Sequence, residues 1–277
     1  MIPKVDIPLA AILATSALAT MMAAVPQDTL QVDVNLVNIF VTVQDAQGLF
    51  VDDLEAGDFR VIEDGRPQPI EVFESHQDLA TGLGILVDNS GSSSEILRSV
   101  RGDVPDFVED LPGGDEAFVV AFGTNLELVY DFGEESDAIG RALDRLRPYG
   151  TSVLFDALYT SIEKISESRH ERQALIVLTD GNDNRSVTTY TEVVGAAESG
   201  MVILYFVGIG PSALVDTYTL RGLAAKTGGS LIMLGREREV GDALEEIRDD
   251  LGRQYYIGYH ASAEPGYHTI EVQVPER

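Results

Sequence analysis

Three short segments hold the side chains best suited to chemistry. Asp88-Asn89-Ser90-Gly91-Ser92 sets one carboxylate and two hydroxyls at alternate positions. Gly150-Thr151-Ser152 adds hydroxyls just ahead of a helical pattern, and Leu178-Thr179-Asp180-Gly181 supplies a second carboxylate. Brought together, Asp88, Ser90, Ser92, Thr151 and Asp180 offer five hard oxygens, a set that suits Mg²⁺, Mn²⁺ or Ca²⁺ better than zinc or copper. Two carboxylates match a divalent charge, while hydroxyls add dipoles without charge. A coordination position left for an outside ligand would attract one more carboxylate, a Glu or Asp of a protein partner. Singly, each segment also fits a turn or a helix cap, because Asp and Ser favour both; the weight rests on the three together. Asp156 stands about a helical turn beyond Thr151 and reads as a supporting residue. Asp183 shares a loop with Asp180 and is a weaker candidate for touching metal or partner.

Composition narrows the rest. The chain has 277 residues, 19 Lys+Arg against 46 Asp+Glu, and a formal net charge of −27 at pH 7. Phosphate binding needs clustered basic side chains, so a nucleic-acid partner is excluded as a class, and anionic membrane surfaces are disfavoured. Without cysteine there are no disulfides, thiolate nucleophiles or zinc–sulfur sites. The four histidines (His76, His170, His260, His268) show no His-x-x-x-His spacing. No Gly-Lys-Ser/Thr phosphate loop or Gly-x-Ser-x-Gly elbow occurs. Gly208-Ile209-Gly210-Pro211-Ser212-Ala213 fits a loose dinucleotide pattern but follows a late strand and lacks the later acidic residue, so no nucleotide is expected. Asp180-x-Asn182-x-Asn184 opens like an EF-hand loop and fails at Arg185 and Thr191. Lysines are absent from the three segments, and the cation that stands on the Asp180 loop is Arg185, so metal-assisted phosphoryl transfer or hydrolysis is the weaker reading.

The elements that must position these residues follow from hydrophobic pattern. Short continuous apolar runs, Leu83–Val87, Ala117–Phe122, Ala174–Thr179 and Val202–Val207, alternate with helical patterns and predict a parallel sheet covered on both faces. Leu126–Phe132 follows its predecessor after a short turn and should return antiparallel. Helices are expected near Ser93–Leu111 (kinked or split at Pro105), Ser136–Leu146, Ser152–Ser168, Tyr190–Glu198, Tyr218–Lys226 and Val240–Leu251, with a short strand Ser230–Met233. Asp88 and Asp180 then end strands, and loops past carboxyl strand ends form the ligand crevice of such sheets.

Ahead of this lies a small β unit within residues 28–78. Its strands are at 32–43, 59–63 and 70–73, and its turns at Asp45–Gly48 and Asp64–Pro67. After it lies a tail, 252–277, whose Tyr255–His260 and Thr269–Val274 read as a hairpin around Glu264-Pro265-Gly266, a candidate to complete the β unit. Residues 1–24 read as an export signal, with an uncharged run from Ile7 to Val25 ending in small residues. Membrane attachment is expected only if that segment stays uncleaved.

Asp88-x-Ser90-x-Ser92, Thr151 and Asp180 resemble the metal-ion-dependent adhesion site of von Willebrand factor type A domains. Gly150-Thr151-Ser152-x-Leu154-x-Asp156-Ala157, Val177-Leu178-Thr179-Asp180-Gly181, Val207-Gly208-Ile209-Gly210 and Leu223-Ala224-x-x-Thr227-Gly228-Gly229 extend the match over residues 80–251. The flanks look like those of a bacterial exported group of such domains. The resemblance implies a Rossmann-like doubly wound, mostly parallel sheet with one antiparallel edge strand. It also implies direct ligation by the serines, with Thr151 and the two aspartates binding directly or through water. Members mostly capture protein partners through the ion and are not enzymes. The alternative is a structural or scaffold protein of an envelope assembly whose metal is only stabilising.

Overall fold

The computed structural model describes residues 36–45, 50–75, 80–91, 96–112, 114–132, 137–210, 214–235, 239–261, 266 and 268–275. Residues 1–24, read above as an export signal, residues 32–35, most of 45–48, Ser92, Ser93, Ser94, Glu264 and Pro265 lie outside them. The strands in chain order are β1 (Leu36–Val41), β2 (Arg60–Glu63), β3 (Arg66–Gln68), β4 (Val72–Ser75), β5 (Thr81–Asp88) and β6 (Glu116–Phe122). They continue as β7 (Leu126–Tyr130), β8 (Arg172–Thr179), β9 (Val202–Gly208), β10 (Leu231–Met233), β11 (Tyr255–His260) and β12 (Ile270–Gln273). The helices are α1 (Ile96–Glu109), α2 (Asp137–Leu143), α3 (Leu154–Ile165), α4 (Tyr190–Gly200), α5 (Thr217–Thr227) and α6 (Val240–Leu251).

Six strands form the central sheet in the order β10-β9-β8-β5-β6-β7. All neighbours are parallel except β6 and β7, where the chain returns antiparallel with Phe122 opposite Leu126. The expected α/β architecture is thus present, mostly parallel with one antiparallel edge. Alternate side chains on a strand point to opposite faces. Ile85, Val87, Ile176 and Leu178 accordingly pack with α1, α2 and α6, while Leu86, Leu175 and Val177 pack with α3, α4 and α5. That two-sided burial is why the strands read as unbroken apolar runs. Gly84 lies where a Cβ would overlap Leu175 and the Phe118 ring, so its missing side chain lets both pack over β5.

Three expectations change. Of the kink or split expected at Pro105, the split does not occur, since helix α1 runs through Pro105 as one element. Val100, Val104 and Phe107 are buried on the sheet either side of it, and that packing holds the turn whose hydrogen bond proline cannot make. The tail is no hairpin: β11 sits between β1 and β4, whereas β12 pairs with β2 in a separate β12-β2-β3 sheet. Strand β11 is buried along most of its length and β12 mostly exposed, so the first is a central strand and the second an edge. The stretch read as a turn at 64–67 is shorter. Asp64 and Gly65, both with positive φ, make a two-residue hairpin turn, and Arg66–Gln68 pairs back on β2 with Pro67 on an edge strand.

Both tail strands therefore pair with N-terminal strands, and Tyr255 ties the arrangement together. Its ring packs 5.0 Å from that of Phe59, and its hydroxyl donates to the Val51 carbonyl (2.9 Å) while accepting from the Leu54 N–H (3.0 Å). Tyr255→Phe keeps the ring and strands a buried N–H, so the expected loss is about 1–3 kcal/mol, read by urea denaturation.

Candidate functional site

Strands β5 and β8 are neighbours in register, Val87 opposite Leu178. From β5 the chain builds outward through β6 and β7 on one side, and from β8 through β9 and β10 on the other. The carboxyl ends of β5 and β8 thus flank the point where strand order reverses, where a crevice opens in open α/β sheets. Asp88 ends β5, and Asp180 follows β8 directly.

Backbone hydrogen bonds tie the three candidate loops to one another. The Tyr149 N–H donates to the Asn89 carbonyl (3.0 Å) and the Gly91 N–H to the Gly150 carbonyl (3.1 Å). The Asn184 N–H donates to the Ser152 carbonyl at 3.0 Å, joining the second loop to the third. Gly150 permits this approach with φ +77°, and a Cβ there would also overlap the Thr124 hydroxyl. That hydroxyl oxygen accepts from the Thr151 N–H (3.2 Å).

Asp88 is 0% exposed. One carboxylate oxygen accepts from the Ser90 N–H (2.9 Å), the other from the Thr179 hydroxyl (2.7 Å), whose oxygen accepts in turn from the Gly181 N–H (3.0 Å). Ser90 is buried, Asp180 and Thr151 are half-buried, and the Asp180 Oδ1 accepts from the Asn182 N–H (3.0 Å). Four of the five predicted residues thus lie on hydrogen-bonded loops at one edge of the sheet, and Ser92 is outside the described residues. Thr179 and Thr124 were not singled out from sequence. Thr179 was visible inside the Leu178–Gly181 motif, whereas nothing in sequence marks Thr124.

Buried polar atoms normally find partners. Among the described residues seven buried side-chain oxygens lack one, and three of these, Asn89 Oδ1, Thr151 Oγ1 and Ser152 Oγ, belong to these loops. No group of three or more His, Asp or Glu side chains suited to a metal occurs among the described residues. Any ion here would depend on hydroxyls beside two carboxylates, and the unpartnered Thr151 hydroxyl fits that donor set.

Asp183 and Asp156 have other work. Helix α3 starts at Val153, which has no side-chain cap. Its first N–H groups are instead capped from the third loop, Phe155 by the Asp183 carboxylate (3.0 Å) and Asp156 by the Ser186 hydroxyl (3.1 Å). Asp156 reciprocates by accepting from the N–H groups of Val187 (3.0 Å) and Thr188 (2.8 Å). Burial pushes the Asp156 carboxyl up, but the Thr188 hydroxyl and these two N–H groups outweigh it and hold it below the ordinary 3.8. Its stabilising share is therefore present above pH 3.8 and lost as the pH falls through the lower folded value. Asp156→Ala is expected to remove hydrogen-exchange protection at the Val187 and Thr188 amides and to flatten that acid-side loss.

A model of the von Willebrand factor type A domain matches residues 83–248. The chain belongs to this family. Among solved structures, a von Willebrand factor type A protein from Catenulispora acidiphila is similar with a TM-score of 0.55 at 14% identity, covering 88% of this chain and 70% of that one. An aerotolerance-related membrane protein from Bacteroides fragilis gives 0.52 at 12% identity, covering 62% and 98%. The N-terminal domains of the type V pili tip protein Mfa5 from Porphyromonas gingivalis give 0.51 at 9% identity, covering 79% and 56%. At such identities these likenesses speak for the fold. No curated protein sequence matches the chain. Von Willebrand factor type A domains are often involved in adhesion or protein interactions, commonly bind a divalent metal, and are typically non-enzymatic. No helix among the described residues is long and apolar enough to cross a membrane.

Proposed function

We propose that this chain holds a divalent cation, Mg²⁺ or alternatively Mn²⁺ or Ca²⁺, at a metal-ion-dependent adhesion site of Asp88, Ser90, Ser92, Thr151 and Asp180. Through that ion it binds a Glu or Asp carboxylate of a protein partner. The observation carrying this reading is the buried Thr151 hydroxyl, which has no partner among the described residues and lies on a loop tied to that of Asp88 and Ser90. Leaving a buried hydroxyl unsatisfied costs about 1–3 kcal/mol, which a cation beside the two carboxylates offsets.

The chain's own residues act as a frame. Thr179 and the Ser90 N–H fix both oxygens of Asp88, and Gly150 with Thr124 sets the height of Thr151. The ion, once bound, is the Lewis acid that attracts the partner's carboxylate. Export is part of the same proposal, supported by the uncharged apolar run Ile7–Val25. Export would bring the site to partners outside the cytoplasm.

Calorimetric titration with Mg²⁺ or Mn²⁺ tests the site. The unaltered chain is expected to take up one ion, and Thr151→Val and Asp180→Ala to weaken it at least tenfold. Equal binding by all three would end the proposal. Pull-down with and without EDTA separates adhesion from a scaffold with a merely stabilising metal, since only adhesion requires metal for capture.

A further inference from the structure

We infer that the partner segment carries, beside the carboxylate that meets the ion, an aromatic or large aliphatic side chain and a further acid. This deepens the proposed function and rests on it; what it adds is the kind of acidic partner that fits.

Eight large hydrophobic residues are exposed among the described ones. The four most exposed are Tyr218 (90%), Val187 (89%), Tyr149 (75%) and Leu214 (68%), and none of the other four reaches one half. All four lie on loops or helix starts at the carboxyl edge of the sheet, Tyr149 beside Thr151, Val187 on the Asp180 loop, and Leu214 and Tyr218 where β9 leads into α5. Single exposed apolar residues are ordinary, but a set gathered on one face marks an interaction surface.

Beside this set runs a groove of about 850 Å³, lined by Phe155, Tyr190, Tyr218, Arg221 and Gly222. The rings of Phe155 and Tyr190 meet edge to face at 6.4 Å. Its walls are bonded to the candidate site: the Asp216 N–H donates to the Asp180 carbonyl (3.2 Å), and the Phe155 N–H to Asp183. The groove therefore adjoins the loop that carries Asp180.

Charge selects the occupant. The chain as a whole stands at −27. Asp183 and Asp216 cap α3 and α5 and keep their negative charge, but the one charged side chain in the groove's own lining is the exposed Arg221, and the exposed Arg185 stands on the Asp180 loop. The groove thus offers a cation beside apolar area, complementary to a segment that carries an acid next to an apolar residue.

Panning a random-peptide display library against the whole chain in Mg²⁺ tests this. Sequences pairing an acidic residue with a nearby Phe, Tyr, Leu or Ile are expected to be enriched and to be lost in EDTA. By fluorescence anisotropy, one such peptide should bind about tenfold more weakly to Tyr218→Ser, a change at a side chain too exposed to affect folding. It should bind several-fold more weakly to Arg221→Ala, with less salt dependence. Metal-dependent enrichment of acidic peptides without apolar neighbours, indifferent to Tyr218→Ser, overturns the inference and leaves the metal site standing. Enrichment indifferent to EDTA and to Asp180→Ala overturns both. Mg²⁺-dependent dimers in sedimentation, abolished by Tyr218→Ser, overturn it in favour of a second copy of this chain.

Discussion

Asp88→Ala should unfold about 2–4 kcal/mol more easily than the unaltered chain in EDTA and gain nothing when Mg²⁺ is restored, whereas Asp88→Asn should lose the metal response at a smaller cost in stability. The carboxylate is fully buried and accepts from two donors, the Ser90 N–H and the Thr179 hydroxyl. Alanine leaves both without an acceptor in a dry place, at about 1–3 kcal/mol each, less some relaxation. Asparagine keeps an oxygen for the Ser90 N–H, but its amide meets the Thr179 hydroxyl as a donor and leaves that proton without its acceptor, so its expected cost is about 1–2 kcal/mol, less than that of alanine. It removes one of the two charges proposed to face the ion, however, and amide oxygens attract a divalent cation far less than carboxylates do. With the proposed site, the unaltered chain is expected to gain about 2.7 kcal/mol when Mg²⁺ stands at a hundred times its dissociation constant. That corresponds to a melting-temperature rise of roughly 5–10 °C for a domain of this size. Thermal melts of the three proteins with and without Mg²⁺ measure all of it. A rise in Asp88→Asn as large as in the unaltered chain would place the ion elsewhere.

How legible this was in sequence varied with how local each cause is. Leu83–Val87 and Ala174–Leu178 announce themselves because strands buried on both faces need no polar residue, and Phe122 to Leu126 is too short a link for anything but an antiparallel return. Pro67 concealed β3, since proline speaks against strands and only the edge position excuses it. The tail misled for a different reason. Two strands joined by a short Gly/Pro stretch look like a hairpin, and only the distant partners β1, β4 and β2 show that they part. At the candidate site, the spacing of Asp88 and Ser90, the place of Thr151 just ahead of a helix and that of Asp180 just beyond a strand could be read directly. The frame beneath them could not: Thr124 under Thr151, and Asp183 and Ser186 capping a helix that begins with an apolar Val153, depend on how three loops fold against one another.

Arg172 was equally invisible, and its replacement by leucine should cost about 3–5 kcal/mol in urea denaturation. It is a buried cation at the amino end of β8, far along the strand from the candidate site. Its Nε donates to the Thr81 hydroxyl (2.7 Å) at the start of β5, and its NH1 to the Leu251 carbonyl (2.8 Å) at the end of α6. There it satisfies an orphan helix carbonyl and meets the negative end of the helix dipole, just before the chain enters β11. Asp115, which accepts from the Thr81 N–H (2.7 Å), depends on the same cation. Burial raises the Asp115 carboxyl above its ordinary 3.8, and the Thr81 N–H and the Arg172 charge pull it back. Without Arg172 the folded value climbs further. A raised carboxyl contributes stability below 3.8 that is lost as the pH rises through the folded value, so Arg172→Leu should deepen that loss. Its deficit is expected to be smaller near about pH 4 than near about pH 7, because at acid pH the stranded carboxylate can take up a proton. A deficit independent of pH would mean that the guanidinium stabilises the fold only through Thr81 and Leu251, with Asp115 indifferent to it.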